Sequence, residues 1–199
     1  MLFIFDMGNV ILENVDVIPK IASIFNLPFQ EVARFCDREL YPLMKGTVTV
    51  DRFWQVFSRR FKVKVEQDYL VTCFEPRLDE RMVSLIRDFR RNNHRVVCGT
   101  NTLDSHYRFL IKRGDFNIFD AVYASHLMGC AKPDPDFFRR ILSVEGDPSE
   151  KAVFVDDLLE NVQAASSLGI MAFHFQGYAK LMDDFSREGI IKGRAVCPE

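Results

Sequence analysis

Five short apolar runs, none of them alternating, constrain the fold of this chain more than any other feature. They lie at residues 2–5, 95–98, 121–124, 152–155 and 170–175, and each gives way to polar or small residues. Unbroken runs of this length suit strands covered on both faces, because a strand with one wet face alternates. Helical patterns intervene at 81–92, 103–112, 134–144 and 159–168, the last stopped by Gly169. Alternation of strand and helix predicts a parallel sheet with helices on both faces, a three-layer α/β domain.

The spacing fails once. Nearly ninety residues separate the first run from the second, far more than one crossover helix needs. Residues 14–78 read as several helices, at 17–25, 29–44, 50–61 and 66–74. Pro28 before Phe29, and Asp51 just after Thr49, are helix-start signals, and Gly46 separates the second helix from the third. The expected organisation is therefore a core of residues 1–13 and 79–199 with a helical cap at 14–78. That insert sits at the carboxyl edge of the sheet, where open α/β sheets bind ligands, and a helical bundle there would act as a lid. Trp54, Phe53 and Phe57 fall at helical spacing and read as the core of the cap.

Composition excludes several classes. Lys+Arg 26 against Asp+Glu 28 leaves a formal charge of -2, too little for nucleic-acid binding by bulk electrostatics. With 48% hydrophobic residues, 19 of them Phe, the chain can bury a core without disulfides or structural zinc. Cys36, Cys73, Cys98, Cys130 and Cys197 are scattered and form no CxxC pair, which predicts reduced thiols in a cytoplasmic protein. The opening MLFIFDMGNVIL lacks a basic start and a cleavage site, so it reads as structure and not as a signal peptide. No apolar run reaches the roughly 20 residues of a membrane span. His94, His106, His126 and His174 show no i,i+4 pairing and read as surface or packing residues, with His126 nearest a strand end. The expected partner is a small molecule, with no nucleic acid, no membrane, and a monomeric chain by default.

Four polar constellations each follow directly on a predicted strand. Asp6 ends the first, Thr100 and Asn101 follow the second, Lys132 lies a loop beyond the third, and Asp156 and Asp157 end the fourth. Parallel strands carry all four ends to one edge. Three carboxylates crowded there repel one another unless a cation or raised pKa values relieve them. Hard oxygen ligands suit Mg²⁺, which prefers a phosphate oxygen as a further partner. Lys132 and the Thr100 hydroxyl add donors for an anion, and a carboxylate within reach could attack it in line. The chemistry that fits is phosphoryl transfer.

The motifs FIFDMGNV, VVCGTNT, GCAKPDPDFF and VFVDDLLENV resemble, in order and spacing, the four motifs of the haloacid dehalogenase superfamily. The tail NVQAASSLGI resembles it too. The resemblance implies a Rossmann-like sheet of order 3-2-1-4-5 with a helical cap inserted after the first strand. It implies a Mg²⁺-dependent phosphatase of a small phosphorylated metabolite, with Asp6 as nucleophile and metal ligand. Thr100 and Asn101 would then hold the phosphoryl oxygens. Lys132 would neutralise charge and orient Asp6, and Asp156 and Asp157 would complete the metal site. Within the family, the FDMGNV opening is most similar to sugar-phosphate phosphatases acting on α-glucose 1-phosphate.

One position departs from the family pattern. Most of its phosphatases carry a second Asp two residues after the nucleophile as general acid and base, and here that residue is Gly8. Its backbone carbonyl can still face a metal, but the side-chain proton donor is gone, a group typically worth about 10²–10⁴ in rate. Two alternatives follow: an L-2-haloacid dehalogenase-like hydrolase, which also lacks that Asp, and a non-catalytic member that binds a phosphorylated ligand. The retained pair Asp156–Asp157 favours the phosphatase.

Overall fold

The first apolar run forms the central strand β1 (Leu2–Phe5), and all four of its side chains are buried. The structure is a computed structural model that describes residues 1–146 and 148–191. After β1 come the short strand β2 (Leu12–Glu13) and helices α1 (Ile18–Ile24), α2 (Phe29–Met44), α3 (Val50–Phe61) and α4 (Tyr69–Thr72). Next are β3 (Arg77–Leu78), α5 (Glu80–Arg91), β4 (Arg95–Thr100), α6 (Asp104–Arg113), β5 (Ala121–Ala124) and α7 (Ser125–Met128). The chain closes with α8 (Pro135–Glu145), β6 (Ala152–Asp156), α9 (Leu159–Ser166), β7 (Met171–His174) and α10 (Tyr178–Arg187).

The main sheet runs β5-β4-β1-β6-β7, every pair parallel, which is the expected 3-2-1-4-5 order of the five apolar runs. Phe5 lies beside Cys98 of β4 and Val155 of β6, so Asp6, Thr100 and Asp156 emerge at one edge. Successive β1 side chains go to opposite faces. Phe3 and Phe5 join the layer of Phe89 and Phe185, with the Phe3 and Phe89 rings stacked at 4.1 Å. Leu2 and Ile4 join Phe137, Phe138 and Phe154 on the other side. Both faces are apolar, as the unbroken runs require.

Helices α1 to α4 fill the interval between β2 and β3, which pair antiparallel through Leu12 and Leu78. This two-residue ribbon is too short to leave a periodic signal in the sequence. The Thr49 hydroxyl accepts the Arg52 amide and starts α3, and Phe53, Trp54 and Phe57 are buried as the spacing suggests. The helix expected at 66–74 contracts to α4, because Asp68 accepts the Leu70 amide and starts the turn there. Asp68 also accepts the Trp54 indole N–H at 2.8 Å. Helix α10 was not anticipated, although Leu181 and Phe185, one turn apart, are its buried pair. Cys36, Cys73, Cys98 and Cys130 are free and buried, while Cys197 lies outside the described residues. Among the described residues no helix is long and apolar enough to cross a membrane.

Gly99 in β4 marks the tightest approach between sheet and helix. A Cβ there would stand 2.8 Å from Ile4 Cγ2 and 3.2 Å from Ile141 Cδ1. Gly99→Val should therefore overpack the layer under α8 and destabilise the fold by about 1–3 kcal/mol in urea unfolding. A variant as stable as the parent would show that this layer has slack.

Candidate active site

The Asp6 amide donates to Val155 O at 2.9 Å, so β1 stays paired up to the residue that carries the carboxylate. Lys132 arrives from the loop after α7, and its side chain is almost wholly buried. Its ammonium makes three contacts: Asp6 Oδ1 at 2.8 Å, Asp156 Oδ2 at 2.6 Å and the Gly99 carbonyl at 2.9 Å. An ammonium has three donors, and all three are used. Burial alone would pull the Lys132 pKa down, but Asp6 and Asp156 outweigh it and hold the group protonated.

The two acidic residues at the end of β6 differ. Asp156 is heavily engaged, since Oδ1 accepts the Leu158 amide at 2.8 Å and the Asn161 amide at 2.9 Å while Oδ2 takes Lys132. It turns the chain into α9, as a helix-start Asp can. Asp157 is only partly buried and accepts one bond, from Asn9 Nδ2 at 3.0 Å. Asp6, Asp156 and Asp157 each offer an oxygen, all within 4.8 Å of one another. One ammonium faces three carboxylates, which leaves excess negative charge. Burial raises the Asp6 pKa to about 7 against the pull of Lys132. Burial likewise raises Asp157, with Asp156 adding repulsion. This hard, oxygen-rich, under-compensated set fits a Mg²⁺ ion, with Asp6 and Asp157 the more available ligands.

Thr100 is buried at the tip of β4, on the wall of a cavity that also touches Gly8 and Asn101. Asn101, on the same wall, is tied to the Lys132 backbone. Its Oδ1 accepts the Lys132 amide at 2.9 Å and its Nδ2 donates to the Lys132 carbonyl at 2.8 Å. The side chain thus clamps the loop that carries the lysine. Gly8 needs no glycine for space, because the nearest atom to a Cβ there is Val15 Cγ2 at 3.8 Å.

Sequence reasoning gave no positioning role to Asn9 or Asn161. Both stand inside the quoted motifs, so the residue types were visible, but which carboxylate each would hold was not. His106 is more than packing: Nε2 bonds the Leu70 carbonyl at 2.8 Å and the ring stacks on Phe74 at 3.9 Å, joining α6 to the end of the helical insert. His126 lies against Tyr107 and the turn at Gly46, apart from the carboxylates. His94 packs on the edge of Phe3, and His174 pairs with the Asp157 carbonyl.

The family model for haloacid dehalogenase-like hydrolases matches residues 1–169. Drimenol cyclase drtB of Aspergillus calidoustus is 30% identical over 138 residues, 66% of this chain and 26% of that protein. Sesquiterpene phosphatase astK of Aspergillus oryzae is 34% identical over 103 residues, 51% of this chain and 52% of that one. The chain therefore spans about half or less of the length of these curated relatives. Among solved structures, the HAD family enzyme BT-2542 from Bacteroides thetaiotaomicron, in complex with magnesium and inorganic phosphate, matches with a TM-score of 0.75. It is 21% identical, over 90% of this chain and 98% of that one, a likeness of fold.

Removing the ammonium should expose the charge imbalance. Lys132→Met leaves buried carboxylates uncompensated, so the metal-free variant should lose about 3–5 kcal/mol in urea unfolding at pH 8. Burial already raises the Asp6 pKa, and without Lys132 the main opposing pull is gone, so Asp6 binds its proton more tightly folded than unfolded and stability rises as pH falls. The deficit should accordingly shrink toward pH 5. A deficit independent of pH would show that packing, not charge, makes the lysine necessary.

Proposed function

The chain belongs to the haloacid dehalogenase-like hydrolases, and on that premise we propose that it hydrolyses phosphate monoesters through a covalent aspartyl-phosphate on Asp6. The observation that carries this reading is the contact between the Asp6 carboxylate and the buried Lys132 ammonium, 2.8 Å apart, beside a carboxylate pair suited to Mg²⁺. Bound there, Mg²⁺ supplies positive charge to the phosphoryl oxygens and to the crowded carboxylates. A relative named as a phosphatase supports the same reaction class.

In this reading the free Asp6 oxygen attacks phosphorus in line while the bond from phosphorus to the alcohol oxygen breaks. Lys132 holds Asp6 in place and favours its ionised form against burial, and the Thr100 hydroxyl donates to a phosphoryl oxygen. Water then attacks phosphorus, the Asp6–phosphorus bond breaks, and inorganic phosphate leaves with Asp6 restored. Asn101 works through the Lys132 loop, and Asn9 and Asn161 fix Asp157 and Asp156. Residues 14–78 act as the cap that covers the site and excludes water.

The leaving alcohol needs a proton, and Gly8 carries none. Two titratable side chains stand on the cavity wall beyond the carboxylate group, Asp16 and His106. His106 is committed to Leu70 and lies flat on Phe74. Asp16 follows Val15, the residue nearest to Gly8, and its Oδ1 accepts the Ile18 amide at 2.9 Å. Its other oxygen accepts no hydrogen bond among the described residues. Asp16 therefore takes the proton-relay role that the second Asp fills in most of the family.

With Mg²⁺, p-nitrophenyl phosphate should release phosphate, and chelation should stop it until Mg²⁺ is restored. Asp6→Asn should lose more than roughly 10³-fold in kcat, as removal of a nucleophile does. Turnover that survives this change, or metal-free chloride release from 2-chloropropionate, would defeat the reading. Asp16→Asn should cost an alkyl phosphate about 10²–10⁴ in kcat. It should cost p-nitrophenyl phosphate far less, because p-nitrophenolate leaves without a proton. Equal losses on both substrates would remove Asp16 from the relay.

A further inference from the structure

The cavity at the carboxyl edge continues away from the catalytic end as a pocket of about 180 Å³ between the helical insert and α6. Gly8, Thr100 and Asn101 form its polar end. The opposite wall is apolar: Leu40 and Met44 come from the last turns of α2, and Leu70 and Phe74 from α4 and the residues after it. Leu103 and Leu110 come from one face of α6. No lysine or arginine lines it among the described residues. Met7, Gly8, Thr100 and Asn101, which flank Asp6 and the tip of β4, line this space, so it is open to the alcohol of a phosphate held at the strand ends.

The lining is poor in groups for a sugar. A hexose brings several hydroxyls, each of which needs a partner once it leaves water. His106 already holds Leu70, Asn101 already holds Lys132, and one Asp16 oxygen already holds the Ile18 amide, which leaves the second Asp16 oxygen and the Thr102 hydroxyl beyond the phosphoryl end, too few for a hexose. An apolar chain needs no partner, and it gains affinity from each methylene buried against Leu40, Met44 and Leu70. The volume corresponds to roughly six water-sized groups, the size of a short aliphatic or isoprenoid chain.

We propose that the substrate is the phosphate monoester of an apolar alcohol, whose hydrocarbon lies between α2, α4 and α6. This rests on the phosphatase reading above and replaces the sugar suggested by the FDMGNV resemblance. Discrimination then comes from the cap and α6, while the strand ends treat every phosphoryl group alike.

Steady-state hydrolysis of n-alkyl monophosphates from ethyl to octyl tests it, alongside dimethylallyl phosphate, α-glucose 1-phosphate and p-nitrophenyl phosphate. The expected result is a kcat/KM that rises about two- to fourfold per methylene and levels off once the pocket is full. α-Glucose 1-phosphate should fall at least about tenfold below hexyl phosphate, the factor that unpaired hydroxyls impose. Met44→Gln, with its fold checked by thermal melting, should flatten the slope. A flat alkyl series in the parent protein, or glucose 1-phosphate turned over best, overturns the inference even while p-nitrophenyl phosphate is hydrolysed. Failure of the phosphatase reading looks different: p-nitrophenyl phosphate itself stays intact. A steep parent slope that Met44→Gln leaves unchanged would move the hydrocarbon out of this pocket and overturn the assignment as well.

Discussion

The Lys132 ammonium, buried between Asp6, Asp156 and the Gly99 carbonyl, ties together the ends of β1, β6 and β4. Taking a lysine out of water costs several kcal/mol unless its charge is paired and its donors are satisfied. Here both conditions are met only because β1 lies between β4 and β6. An order that separated β1 from β4 or β6 would remove the carbonyl or part the two carboxylates, and would leave a buried charge poorly paired. The contact that positions the Asp6 carboxylate is thus a reason for setting β1 between β4 and β6.

Precision at that edge depends on packing beneath it. Phe3 and Phe5 on one face and Ile4 on the other leave β1 no room to slide, and Gly99 lets α8 press against the sheet. Above this floor, two amides set the charged groups. Asn101 holds the Lys132 loop by both ends of its amide, and Asn161 holds Asp156 from the first turns of α9. Neutral side chains fix the charged ones, so the carboxylates can crowd without drifting apart. Burial, with a smaller push from Asp156, raises the Asp6 pKa to about 7 although an ammonium touches it.

Much of this was legible in the chain. Unbroken apolar runs gave all five main strands, since a strand buried on both faces has no polar residue to interrupt it. Helices α2 and α3 were readable to their ends, because Pro28 and Thr49 mark where each begins. The ribbon of β2 and β3 was not, as two residues carry no period. At the site, Asp6, Lys132, Asp156 and Asp157 were legible because parallel strands bring their ends together whatever the side chains are. The closure of the Asn101 amide on the Lys132 backbone was not legible. That pairing depends on the path of the loop after α7, which residue types do not specify.

The two ends of the cavity differ in legibility for the same reason they differ in chemistry. A phosphoryl group demands charge and directed hydrogen bonds, so its site is built from few residue types at strand tips, and such residues stand out in a sequence. A hydrocarbon demands only that water be absent. Leu40, Met44, Leu70, Phe74, Leu103 and Leu110 meet that demand, and each also looks like an ordinary core residue of its own helix. They come from three segments well apart in the chain, brought together by how α2, α4 and α6 pack. What distinguishes them from the core is the space left between them, a property of the packed helices and of no single position in the chain.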